Sequence, residues 1–187
     1  MTTYERMEAC IAAAQSRDMC AVSRLLAALN DDAWEVRYAA AVALGDLQDA
    51  AAIDPLLDLL KAEDAAPLFS QPGECFGTAG STIAPTPGLP QQAARETLEA
   101  WRRRGRVKQA ACLALGSIGK AAPSVLDLLH RYAVDAAQDY MVRAAACKAL
   151  GQIASPQSRG VLETAANDEE WCTKTEARKA LAVLNGH

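Results

Sequence analysis

The chain has 187 residues, 51% apolar and 22% charged, with a net charge of −4, the profile of a globular domain large enough for a core of its own. Alanine occurs 41 times, whereas Phe, Tyr and Trp together reach 5%. That balance predicts closely packed helices and excludes a β-sandwich or barrel, which draws on β-branched and aromatic residues. No apolar run approaches the ~18 residues that span a bilayer. Glu5, Arg6, Glu8, Arg17 and Asp18 interrupt the first 20 residues, so no membrane span and no secretory signal is read, and a cytoplasmic location is expected.

In chain order, Thr3–Gln15 predicts a helix without a partner helix, capping the N-terminal end (3–15). A first helix pair covers 18–47. Its Leu-rich first member is Cys20–Leu29, Asn30-Asp31-Asp32 supplies turn and N-cap chemistry, and residues 36–47 read V-R-Y-A-A-A-V-A-L-G-D-L. Val36, Ala40, Ala43, Leu44 and Leu47 fall on one helical face.

A second pair covers 51–119. Ala52–Lys61 forms its first helix, with Pro55 in the first turn, where a missing N–H costs little. Residues 107–118, V-K-Q-A-A-C-L-A-L-G-S-I, form its second. Between them lies an insertion, 63–104. From Glu63 to Pro90 nine of 28 residues are Gly or Pro, which predicts a long loop. Its composition fits a functional loop and a disordered one alike, and Leu68, Phe69, Phe76, Ile83 and Leu89 allow it to fold back on the helices. Gln91–Arg104 then reads as a helix that either runs through Gly105 into the next helix or kinks there.

A third pair covers 121–154, with Pro123–Tyr132, a Gln138-Asp139 turn, and V-R-A-A-A-C-K-A-L-G-Q-I at 142–153. A fourth covers 156–185, with Gln157–Ala166, an Asn167-Asp168 turn and a degenerate second helix, T-K-T-E-A-R-K-A-L-A-V-L, at 173–184. Thr173 and Glu176 occupy apolar slots there, as suits a polar terminal repeat. Successive second helices are offset by 71, 35 and 31 residues. Internal self-similarity of this kind marks a repeat architecture. The fold class expected is all-α: a right-handed α-solenoid of about four stacked helix pairs, with a long Gly/Pro-rich insertion in the second.

The shared frame is Val, a basic residue, a spacer, Ala-Ala, two spacers and Ala-Leu-Gly. It resembles the HEAT-like repeats, specifically the short variety named after phycobilisome lyases, most closely at Asp32-Ala33-Trp34-Glu35-Val36-Arg37 and Tyr140-Met141-Val142-Arg143. The resemblance covers about two-thirds of the chain. It implies that Arg37, Lys108, Arg143 and Lys174, which share a slot, form a structural ladder bridging to Asp31, Asp32, Asp139 and Asp168. It also implies that the second helices line a concave face. Trp34, Tyr140 and Trp171 share another slot and are read as packing between repeats.

Six cysteines carry no Cys-x-x-Cys pair and no zinc spacing. Cys10, Cys20, Cys112 and Cys147 are read as small apolar fillers, reduced and unpaired, and Cys75 as a loop residue. Only His130 and His187 are histidines, and the single internal one is read as lying on a helix surface. No Ser-His-Asp set, phosphate loop or dinucleotide fingerprint is present, so no enzyme, metal or cofactor is expected.

The leading reading is a non-enzymatic scaffold that binds a protein or peptide on the second-helix face, gated by the 63–90 loop. Candidate contacts are Trp34, Tyr38, Phe69, Phe76, Trp101, Arg102, Arg106, Gln109 and Lys148. Two alternatives stand beside it. The resemblance implies a phycobilin-lyase-like accessory subunit. The basic cluster Arg102–Lys108 implies nucleic-acid binding, against which the pI of 5.2 argues. The charge is also split: residues 1–90 hold 5 basic and 13 acidic side chains, residues 91–187 hold 14 and 10. That division suits head-to-tail association, and the insertion's apolar residues suit a homodimer contact.

Overall fold

The computed structural model describes residues 1–65, 91–119 and 121–186, with the side chains of 91–104 left aside. Among the described residues there are helices and turns and no strands. The helices are α1 (Thr3–Gln15), α2 (Val22–Ala28), α3 (Trp34–Leu47), α4 (Ile53–Ala65), α5 (Gln91–Ile118), α6 (Pro123–Val134), α7 (Tyr140–Ile153), α8 (Arg159–Ala165) and α9 (Trp171–Leu184). Short 3₁₀ turns at Met19–Ala21, Ala50–Ala52 and Pro156–Ser158 lead into α2, α4 and α8. Residues 63–65, expected to open the loop, are instead the last turn of α4, because the Gly and Pro residues of the insertion start only at Pro67; the rest of the expected loop, 66–90, lies outside the described residues. At Gly105 the helix runs straight through, so 91–118 is one helix of 28 residues.

Two layers result. The second helices of each pair, with α1 in front, stack in the order α1–α3–α5–α7–α9, and this is the tightest packing in the molecule. The first helices α4, α6 and α8 form a looser outer layer. The sequence explains the difference. Each frame glycine sits against the next inner helix: a Cβ on Gly45 would lie 2.8 Å from the Ala114 Cα, one on Gly116 2.6 Å from the Ala149 Cα, and one on Gly151 2.8 Å from the Ala180 Cβ. Leucines instead fill the core side of the outer helices: Leu56, Leu60, Leu126, Leu129 and Leu162 are all buried. Small residues let the helices of the α1–α9 layer approach closely, whereas leucines hold those of the outer layer further apart. The architecture is an α-solenoid.

The end helix α1 is in register with the other inner helices. Arg6 stands four residues before buried Cys10, as Lys108 does before Cys112 and Arg143 before Cys147. Thr2 and Glu5 form a reciprocal capping box at its start. This register is masked in the sequence, where α1 looks like an unpartnered cap, because Glu5 and Glu8 stand where the other copies carry apolar residues.

Cys10, Cys112 and Cys147 are buried fillers between inner helices, and burial pushes the thiols of Cys112 and Cys147 up to about 12. Cys20 departs from expectation. It lies in the Met19–Ala21 turn and is exposed. Alkylation with N-ethylmaleimide followed by peptide mapping is expected to label Cys20 in the native protein, and Cys112 and Cys147 only after unfolding.

Candidate partner-binding groove

The face of the inner layer is built from three slots that recur four residues apart and so share one side of each helix. On α3 they hold Tyr38, Val42 and Asp46, on α5 Gln109, Leu113 and Ser117, and on α7 Ala144, Lys148 and Gln152. All of these but Ala144 line a groove of about 280 Å³, with Gly45, Ala110 and Ala114 along its floor. The groove exists because small residues hold α3, α5 and α7 close while the longer side chains at the three slots rise on either side. Tyr38 and Val42 are each 38% exposed, a large apolar surface for residues on the tight side of the stack.

The structure therefore brings together three sequence candidates, Tyr38, Gln109 and Lys148. It separates Trp34, which is partly buried against the core outside the groove. Arg106 is exposed on α5 and does not line the groove. Trp101 and Arg102 lie on α5, but their side chains, like Phe69, Phe76, Cys75 and the gating loop, fall outside the described residues. Sequence reasoning missed Asp46 and Gln152. Both stand nine residues after the ladder base, on the same face as the two slots it did read.

The aromatic slot is not uniform packing. Trp34 packs inward, whereas Tyr140 is 42% and Trp171 73% exposed. No described helix stacks on α9 to cover Trp171.

The ladder shows what holds the groove walls at fixed spacing. Arg6 on α1 donates to both oxygens of Asp31 at 2.8 and 2.9 Å and to Asp32 at 2.9 Å, in the turn before α3. Arg143 on α7 donates to both oxygens of Asp168 at 3.0 and 3.1 Å, in the turn before α9, and to the Gln138 carbonyl at 2.8 Å. In each case the carboxylate also accepts a backbone N–H of its own turn, from Ala33 or Glu170. One acid thus shapes the entry to an inner helix and ties it to the preceding one. Asp139, an expected partner, instead caps α7 through the Met141 N–H.

The slot equivalent to Asp31 and Asp168 is position 102 on α5, an arginine inside a continuous helix, so no turn acid faces Arg37. The last turn of α4 takes its place. Arg37 donates to the Glu63 carboxylate, 2.9 Å from its nearer terminal nitrogen, and to the carbonyls of Asp31 and Asp32. Lys108 is 2.7 Å from Asp64, which also accepts from Arg131 and from the buried Tyr132 hydroxyl, both at 2.9 Å. Burial alone would push the Asp64 carboxyl up, but the Lys108, Tyr132 and Arg131 contacts outweigh it and the net shift is downward. Burial beside Asp64 raises the Tyr132 phenol, which stays a donor. Lys174, the last base of the ladder, makes no ion pair among the described residues.

Arg6's hydrogen bond is the main reason that the Asp31 carboxyl lies at about 2; Ala33 and Asp32 contribute, against a smaller opposing effect of burial. Because its folded-state value lies below the ordinary 3.8, this contact is fully present above about pH 4 and is lost as pH falls toward 2. Chemical denaturation along that range is expected to show wild-type stability falling steeply. Arg6→Met should be weaker at neutral pH and fall less.

His130 is half-buried rather than on the helix surface. Its Nε2 lies 2.9 Å from the hydroxyl of fully buried Ser158, joining α6 to the turn before α8. Burial lowers its affinity for a proton, against a small opposing effect of Asp127. Ser158 has no exposed surface, and the pair ties α6 to the turn before α8 from within. Among the described residues no three His, Cys, Asp or Glu side chains converge on a common point, and no helix is long and apolar enough to cross a membrane.

A family model described as HEAT repeats matches residues 2–68 and 92–182. No curated protein matches the chain. Among solved structures, human deoxyhypusine hydroxylase in complex with glycerol is similar at 17% identity and a TM-score of 0.42, over 100% of this chain and 81% of that one.

Proposed function

The chain belongs to the HEAT-repeat family, and on that premise we propose that it is a non-enzymatic scaffold that holds a protein or peptide against the inner-helix face. HEAT repeats generally serve protein interaction, offering extended concave surfaces. The observation that carries the finer reading is the groove across α3, α5 and α7. There, in an otherwise Ala-lined layer, Tyr38 and Val42 rise exposed beside Leu113, Gln109 and Lys148. Exposed aromatic and aliphatic side chains flanked by hydrogen-bonding groups are the composition of an interface centre.

Affinity capture tests it. The intact protein, with and without nuclease, is compared with a Tyr38→Glu/Val42→Glu variant that keeps its far-UV circular dichroism and melting temperature. A stoichiometric protein retained after nuclease and lost with the variant is the expected result. Retention of nucleic acid alone, or of a protein indifferent to the variant, overturns the reading.

A further inference from the structure

Resting on the scaffold reading, the geometry points to one chemical class of occupant: an extended peptide segment that places an apolar side chain on Val42 and Leu113 and a carboxylate on Lys148. The groove is polarised across its width. The α3 wall contributes Tyr38, Val42 and, toward the helix end, Asp46; α5 contributes Leu113; the α7 wall contributes Lys148 and Gln152. Lys148 is exposed and makes no ion pair among the described residues. On the next inner helix, the equivalent Lys179 is already engaged, 2.7 Å from Glu176. Among the described residues, Lys148 is therefore the cation in this face left for an incoming group.

Each wall selects. Covering Lys148 with an apolar or neutral segment would strip an ammonium of water without an opposite charge, which is unfavourable, so the occupant must bring an anion to that side. A continuous phosphate backbone fails at the other side, where it would run over an apolar strip and past the Asp46 carboxylate. An apolar residue with a single acid nearby satisfies both walls.

Spacing follows from the fold. Adjacent packed helices lie ~8–10 Å apart, and a chain in the extended polyproline II conformation advances ~3.1 Å per residue and brings every third side chain back to the same face. A segment crossing the inner helices therefore carries its acid about three positions from the apolar residue that rests on Leu113.

The test is selection of a displayed random dodecapeptide library on the full chain, on Lys148→Glu and on Val42→Glu, each variant first shown to match the wild-type melting temperature. The wild-type protein is expected to enrich peptides with an aliphatic or aromatic residue and an Asp or Glu about three positions away. A synthetic copy should bind Lys148→Glu at least about tenfold more weakly, and changing its acid to Lys should restore binding to that variant. Peptides that need Val42 but carry no acid, or that bind Lys148→Glu equally, overturn this inference and leave the scaffold reading standing. A selection yielding no peptide dependent on Val42 overturns both.

Discussion

Gly116→Ala is expected to destabilise the protein by about 2 kcal/mol, although alanine is the better helix former. The added Cβ would lie 2.6 Å from the Ala149 Cα and 2.8 Å from its Cβ, and would also meet the Gln152 side-chain oxygen. The glutamine can turn away. The α7 backbone cannot, because α7 is held on its far side by the same kind of contact, Gly151 against Ala180. Overpacking of a fixed core costs about 1–3 kcal/mol, and with backbone as the obstacle the upper end applies; about 1 kcal/mol returns as helix propensity. The melting temperature should fall by about 4–8 °C. Gly160→Ala supplies the control. Nothing lies within 4 Å of that position, so propensity acts alone and a gain of about 0.5–1 kcal/mol is expected. If Gly116→Ala melted at or above wild type, the close approach of α5 and α7 would not be what holds the inner layer.

This contact repeats at Gly45, Gly116 and Gly151 and was legible in the sequence as an Ala-Leu-Gly frame recurring after a basic residue. The apolar periodicity placed the inner helices, and the Pro residues placed the starts of outer ones. What stayed hidden were features that depend on which residue arrives from elsewhere. Glu63 and Asp64 read as the start of a loop. Only the folded stack shows that Arg37 reaches Glu63, because the long helix α5 removes the turn that would have carried an acid, and that Lys108 reaches Asp64 as well as the Gln138 side chain in the turn before α7. Arg6 read as one charge in a capping helix, since Glu5 and Glu8 mask the frame around it. Trp34 looked like an anchor by its type, but a residue's type does not say which side of the first helical turn it faces. Tyr38, Gln109 and Lys148 were recognised because surface slots repeat with the helical period just as core slots do.

The groove and the ladder are two faces of the same spacing. The groove's width is the distance between α3 and α7, fixed on the core side by glycine and alanine and at the helix starts by the basic residues. The shape of the groove and the stability of the stack are thereby joined: a change that loosens a rung also moves a groove wall, whereas Lys148 and Val42 stand on the open side and can be altered without touching a rung.

The strongest test of the ladder is Arg143. The side chains of Arg143 and Asp168 are only 11% and 17% exposed, so their pairing is little screened by solvent. Arg143→Met keeps the aliphatic stem but leaves the Asp168 carboxylate and the Gln138 carbonyl without their donor. Breaking a buried pair from one side costs about 3–5 kcal/mol, and the residual exposure here places the expected loss near the lower end, about 3 kcal/mol. Asp168→Asn retains an acceptor for the Glu170 N–H while removing the charge. The double variant is therefore expected to lose less than the two single changes added together, with a coupling of about 1–3 kcal/mol. Urea denaturation of the four proteins at pH 7 measures it. Strict additivity would mean that the rung is held by packing of the arginine stem alone.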